Sequence, residues 1–402
     1  MEQQALSKRV RSLTESATLE MTRKSRELRE QGIDVITLSI GEPDFNTPEA
    51  VKQAGIKAIE ANDTHYPPVP GTPALRKAIS DKLLRDNGLI YKPSQIIVSN
   101  GAKQSIMNAF FSLLDEGDEV IIPAPFWVSY PEMVKLASGV PVIIRSNVET
   151  DFKISPEALE AAITPRTKAF IFSSPCNPSG SAYSYDELKA FAQVLAKHPQ
   201  VMIISDEIYE LIRFEGRHES IAQFAEVADR VILINGLSKG FAMTGWRVGY
   251  MAAPQWVADA CNIIQGQYTS GSCTISQAAA LEALCTEPKA SAELQQMVKA
   301  FESRRNLLYN KLMAIEGVKP NLPAGAFYMF PDISHYFGKS DGQRTIRNSY
   351  DLCLYLLSEA HVALVSGEAF GNEECIRFSY AASEEQIVEA VRRIELALKK
   401  LS

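Results

Sequence analysis

One lysine sits among small residues in the run Gly236-Leu237-Ser238-Lys239-Gly240-Phe241-Ala242-Met243-Thr244-Gly245-Trp246-Arg247-Val248-Gly249. Serine before it and glycine after it leave room around the amine, which suits a Schiff base with a bulky carbonyl compound. Arg247 follows eight positions on. Its planar fork suits a phosphate, and its charge keeps a neighbouring amine partly deprotonated. A lone Ser-Lys-Gly is most often a surface loop, but the whole run is far more specific. Three other places invite chemistry. Gly101-Ala102-Lys103-Gln104 follows the apolar Ile96-Ile97-Val98-Ser99 and opens a helical pattern. Free backbone N–H groups and the helix dipole make such a junction an anion site. Asp206 stands straight after Val201-Met202-Ile203-Ile204-Ser205. Asn177, in Asn177-Pro178-Ser179-Gly180, follows another apolar run in a tight-turn sequence and puts an amide at a sheet edge.

The elements that must position these residues are legible as alternating patterns. Residues 95–99, 119–123, 140–145, 168–173, 201–205, 231–235 and 248–252 read as strands, with helical stretches between several of them. One such helix, 184–197, opens on Ser184 with Glu187 three later, a capping box. The alternation predicts a mainly parallel, doubly wound α/β sheet with both faces covered. Ligands gather at the carboxyl ends of such strands, and Gly101, Asn177, Asp206 and Lys239 each follow one. Beyond Pro288 the pattern changes to a long helix (291–315), then the segment 325–330, a long loop, a helix (349–359), a strand (362–365) and a final helix from Glu384. A further strand is expected over 33–39. The expected division is a large domain over 45–290 and a smaller α+β domain built from both termini, 1–44 and 291–402.

Composition narrows the class. A chain of 402 residues suits one large domain with a smaller companion. The formal net charge of −7, without a basic run, argues against nucleic acid as a partner. The six cysteines form no CxxC pair, so they read as reduced thiols and not as a disulfide framework or a metal site. Residues 1–11 lack an apolar signal core, and no run of about 18 apolar residues exists to span a membrane. The expectation is a soluble, cytoplasmic protein.

The lysine run resembles the signature of class I and II aminotransferases, which use pyridoxal 5'-phosphate on fold type I. The resemblance covers nearly the whole chain and is nearest to bacterial aspartate aminotransferases with an N-terminal Ser-Ala-Thr, here Ser16-Ala17-Thr18. Gly41-Glu42-Pro43-Asp44-Phe45, Pro125-Phe126-Trp127-Val128-Ser129-Tyr130-Pro131 and Ala324-Gly325-Ala326-Phe327-Tyr328 match as well. It implies a mainly parallel seven-stranded sheet sandwiched by helices, beside the smaller domain. It implies Lys239 as the Schiff-base lysine and proton carrier, and Asp206 on the ring nitrogen. Tyr209 and Asn177 would serve the ring's 3′ oxygen, and Trp127 would stack on the ring. Gly101, Ala102, Lys103, Ser238 and Arg247 would hold the phosphate. Tyr66 would reach the phosphate of the neighbouring subunit, which implies a homodimer with shared sites. Arg377, in Cys375-Ile376-Arg377-Phe378-Ser379-Tyr380, matches the arginine that grips the substrate α-carboxylate. Gly41, Asn177 and Trp127 would flank it, and Lys103, Ser16 and Thr18 would bind the distal carboxylate.

The implied reaction is transamination of L-aspartate with 2-oxoglutarate, giving oxaloacetate and L-glutamate. Prephenate, alone or beside aspartate, and broad aromatic acceptance stay open at this point. So do other chemistries of the same cofactor. A regulator built on this fold would need a DNA-binding module, for which the sequence leaves no room. Two departures stand out: Gly236 replaces a serine common in relatives, and Glu15 precedes Ser16.

Overall fold

The structure is a computed structural model that describes residues 6–14 and 17–402. Ser16 and Glu15 lie outside the described residues. In chain order the strands are β1 (Ile36–Thr37), β2 (Ile96–Ser99), β3 (Glu119–Pro123), β4 (Val140–Ile144), β5 (Thr167–Ser173), β6 (Met202–Asp206), β7 (Val231–Gly236), β8 (Gly249–Ala252), β9 (Tyr328–Met329), β10 (Val362–Ala363), β11 (Val365–Ser366) and β12 (Ile376–Ser379). Seven of them form one sheet in the order β2-β8-β7-β6-β5-β3-β4. All neighbours are parallel except β8, which runs antiparallel to both β2 and β7. The sheet therefore matches the seven expected strands, with one reversed strand inside it.

Strand side chains alternate between faces, and the core follows that rule. Val231 and Leu233 of β7 belong to one hydrophobic cluster, Ile232 and Ile234 to a second one. Burial on both faces is why these strands read as continuous apolar runs. The helix Tyr185–Ala196 begins where expected: Ser184 Oγ accepts from Glu187 N–H at 3.3 Å, and Glu187 Oε2 accepts from Ser184 N–H at 2.7 Å. Ser291 caps the long helix Ala292–Met313 through its Oγ, which accepts from Leu294 N–H at 3.4 Å.

Two expected strands differ. Only Ile36 and Thr37 of the 33–39 stretch pair, in parallel with Val362 and Ala363 of β10. The preceding Val35 carbonyl instead accepts from Arg29 Nε and Nη2. The 362–365 stretch splits at Leu364, because β10 pairs with β1 whereas β11 joins the antiparallel sheet β11-β12-β9. Ser379 N–H donates to Leu38 O at 2.8 Å and ties that small sheet to the N-terminal segment. Among the described residues no helix is long and apolar enough to cross a membrane, and all six cysteines are unpaired.

Strand β8 carries Gly249 against the start of the helix Ala102–Leu113. A Cβ at Gly249 would collide with the backbone of Gly101 and Ala102, which has no side-chain freedom with which to yield. Gly249→Ala should therefore cost about 1–3 kcal/mol as an overpacking change. Urea unfolding of the variant beside the parent chain measures it, and equal stabilities would contradict the close approach.

Candidate active site

A cavity of about 430 Å³ opens where β2, β5, β6 and β7 end. Thr18, Gly41, Ala102, Lys103, Trp127, Asn177, Asp206, Tyr209, Ser238, Lys239, Arg247 and Arg377 all line it. These side chains span 18 to 377 in sequence, and the sheet edge brings them together. Gly101 stands just behind, as the N-cap of the helix Ala102–Leu113. Tyr66 is not part of this chain's cavity; it is 97% exposed.

Lys239 follows β7. Its ammonium donates to the Gly41 carbonyl at 2.6 Å. Its pKa is lowered to about 8, chiefly by burial, with Arg377 and Arg247 adding to the fall and the opposite charges of Glu42 and Asp206 opposing it. The sequence suggests like-charge repulsion as the cause, but loss of water is the larger one.

Asp206 ends β6 and is buried. Its Oδ2 accepts from the Tyr130 hydroxyl at 2.6 Å, and its Oδ1 accepts from Ile208 N–H at 3.3 Å. Burial raises its pKa to about 6, and these two hydrogen bonds work against that rise. Tyr130 also packs edge-on to Trp127, with ring centroids 5.5 Å apart.

The opposite wall is cationic. Gly101 takes φ +82°, a left-handed turn that glycine adopts without strain, and the helix then starts at Ala102. Its first N–H groups have no partner within the helix. Arg247 lies beside this turn, with Nη2 3.4 Å from the Asn100 carbonyl and Nη1 donating to Thr244 O at 2.9 Å. Lys103 projects from the first turn with its ammonium 4.8 Å from the centre of the Trp127 ring. Its pKa is lowered, first by burial and then by Arg247.

Arg377, on β12, is 2% exposed. Nη1 donates to Asn177 Oδ1 at 3.0 Å and Nη2 to Ser39 O at 2.6 Å. The guanidinium lies between the rings of Tyr328 and Phe370, at 4.7 and 4.9 Å. Its Nε is buried and has no partner, an unmet donor of a kind that is rare in folded interiors. Tyr328 in turn shares a 2.9 Å hydroxyl–hydroxyl bond with Tyr209.

Sequence reasoning assigns no role to Tyr130, Tyr328, Glu42 or Thr244. Tyr130 was reachable as the polar aromatic three residues after Trp127, and Tyr328 as the last residue of Ala324-Gly325-Ala326-Phe327-Tyr328. The bond between Thr244 Oγ1 and Glu42 joins residues about two hundred positions apart, and nothing local announces it.

The lowered pKa of Lys239 sets a pH dependence for the unliganded chain. The folded state holds this proton less tightly than the unfolded state. The group's contribution is therefore least favourable below about pH 8, and stability rises as pH climbs from about 8 to 10.5. Lys239→Ala should abolish a rise of roughly 3 kcal/mol across that window. Unfolding curves of both proteins measure it, and parallel profiles would contradict a depressed amine.

Residues 33–394 match the family model for aminotransferase class I and II. A bifunctional aspartate aminotransferase and glutamate/aspartate-prephenate aminotransferase of Petunia hybrida is 48% identical over 396 residues, covering 98% of this chain and 83% of that protein. The aspartate aminotransferase structure from Rhizobium meliloti superposes with a TM-score of 0.95 at 42% identity, covering 99% of each chain. The Thermus thermophilus aspartate aminotransferase with maleate superposes at 0.92 with 40% identity, covering 98% of this chain and 99% of that one. Its sheet is that of these structures, and the chain belongs to the class I and II aminotransferases.

Proposed function

We propose that this aminotransferase uses pyridoxal 5'-phosphate to transfer the amino group of L-aspartate to 2-oxoglutarate, giving oxaloacetate and L-glutamate. The observation that carries the reading is one cavity holding a lysine of lowered pKa, a helix N-terminus and a buried arginine with a spare donor. Two features fit the cofactor. Gly101 has no side chain, and Arg247 Nη2 takes the space that a Cβ there would need, so the guanidinium lies close against the start of the helix Ala102–Leu113, where a phosphate would sit. Asp206 is a buried carboxylate able to hold a proton on a ring nitrogen. When bound, the cofactor supplies an aldehyde and an electron-withdrawing ring that weakens the substrate's α C–H bond.

In this reading Ala102, Lys103, Ser238 and Arg247 hold the phosphate through N–H groups and charge. Trp127, Asn177 and Tyr209 orient the ring. Arg377 grips the substrate α-carboxylate, with Gly41 and Asn177 beside it. Lys103, Thr18 and Ser16 take the distal carboxylate. The maleate that accompanies the Thermus thermophilus enzyme, a small dicarboxylate, is in keeping with that. Lys239 Nζ takes the α-proton and returns it, a general-base role worth roughly 10²–10⁴-fold.

The reading includes two domains, 45–290 and 1–44 with 291–402. It also includes a homodimer in which each Tyr66 serves its neighbour; the exposure of Tyr66 supports this. Unpaired cysteines support a cytoplasmic setting. Prephenate as a second substrate is favoured by the bifunctional relative from Petunia hybrida.

The test is an absorbance spectrum of the purified protein before and after L-aspartate alone. The visible cofactor band should bleach into the near ultraviolet without any 2-oxo acid, and repeating this with arogenate, the amino product of prephenate, ranks the two substrates. A band indifferent to aspartate would remove this substrate. Lys239→Ala should lose multiple turnover. Arg377→Ala should lower kcat/KM for aspartate by roughly 10²–10³-fold, as expected for one partner of a buried charged pair.

A further inference from the structure

We infer that the hydrogen bond from Thr244 to Glu42 is a positioning device that holds two cavity cations, Lys239 and Arg247, in register with each other. The inference rests on the function proposed above and adds residues to that site. Lys239 Nζ rests on the carbonyl of Gly41, at 2.6 Å. Arg247 Nη1 rests on the carbonyl of Thr244, at 2.9 Å. Gly41 adjoins Glu42 in sequence, and Thr244 Oγ1 donates to Glu42 Oε1. One side-chain bond therefore fixes the distance between two backbone segments, each of which seats one cation.

The Thr244 segment needs such a restraint. Ala242 and Arg247 both lie in the left-handed region, at φ +49° and +55°. Residues with a Cβ adopt that region only at a cost, so the loop between them does not keep its shape unaided. Thr47 fastens the two ends: its Oγ1 donates to Ala242 O at 2.8 Å and accepts from Trp246 Nε1 at 3.0 Å. Asp44 is tied to Arg304 at 2.7 Å. These ties survive the loss of Thr244's hydroxyl, so the fold should persist without it. Beside the bond from Arg247 to the Thr244 carbonyl, which lies within the loop, the bond to Glu42 is the side-chain tie that joins Thr244 to another part of the chain among the described residues.

Glu42 also lines the cavity with a negative charge. The charged groups that face Lys239 are Glu42 and Asp206, which favour its proton, and Arg377 and Arg247, which disfavour it. Two roles are thus joined in one carboxylate, and variants separate them. Thr244→Val keeps the charge and loses the bond. Glu42→Gln loses the charge and keeps an oxygen that accepts the bond. Thr244→Ser restores the donor.

The experiment uses the cofactor-free full chain and has two readings. One is the pH midpoint of Lys239 acylation, measured on its peptide by mass spectrometry. The other is the Kd for inorganic phosphate by calorimetry. Glu42→Gln should lower the midpoint by about half a unit or more, because an anion facing the ammonium is gone. Thr244→Val should weaken phosphate binding roughly three- to tenfold, the loss expected for one hydrogen bond, and Thr244→Ser should restore it. Thermal unfolding confirms that each variant is folded. An unmoved midpoint in Glu42→Gln, parental phosphate affinity in Thr244→Val, or failure of Thr244→Ser to rescue would overturn the inference. A parent chain that binds neither phosphate nor pyridoxal 5'-phosphate would instead overturn the proposed function, with the acylation midpoint of Glu42→Gln still deciding the role of Glu42.

Discussion

The constraint on which the rest depends is a crowd of like charges. Lys103, Lys239, Arg247 and Arg377 line one cavity against two carboxylates, Glu42 and Asp206. Such a set repels itself, and burial strengthens the repulsion. It persists because a rigid sheet edge and fixed backbone carbonyls hold three of the four cations in place, while Lys103 lies over the Trp127 ring. Arg377 leans on Ser39 and Asn177, Lys239 on Gly41, and Arg247 on Thr244. The charge surplus makes the cavity a receptor for anions, and its spread fits a ligand set with several anionic ends. Burial is the larger cause of the depressed basicity of Lys239 and Lys103, and the neighbouring cations add to it.

The large sheet was legible because doubly buried strands must be apolar runs, and Val201-Met202-Ile203-Ile204 and Val231-Ile232-Leu233-Ile234 have few other readings. The helix after Ser184 was legible because its cap is local. The small-sheet elements were harder. Whether Val35 or Ile36 begins a strand depends on Arg29 claiming the Val35 carbonyl, and the break at Leu364 depends on two different partners. Pairings of two residues leave almost no periodicity to read.

Within the cavity, the residues found from sequence are those whose chemistry is unusual for their surroundings: a lysine among glycines, an aspartate after an isoleucine run, an arginine in a strand. The residues overlooked are those whose role is relational. Tyr130 matters through its 2.6 Å bond to Asp206, and Tyr328 through its contacts with Arg377 and Tyr209. A tyrosine in an apolar segment looks the same whether it packs or orients. The separation of Glu42 from Thr244 hides their bond from any local pattern.

The two ends of the cavity differ in how they are built. Arg377 is sealed between Tyr328 and Phe370 and braced by three distant parts of the chain. Thr18 stands on the helix Ala17–Glu30 beside Leu19, which is 64% exposed. Under the proposed function the first end would read the group common to every amino acid, and the second would face whatever distinguishes one from another. On that reading, substitutions along one face of that helix would retune selectivity while the grip on the shared group stayed untouched, a modular layout for diversification and for engineering.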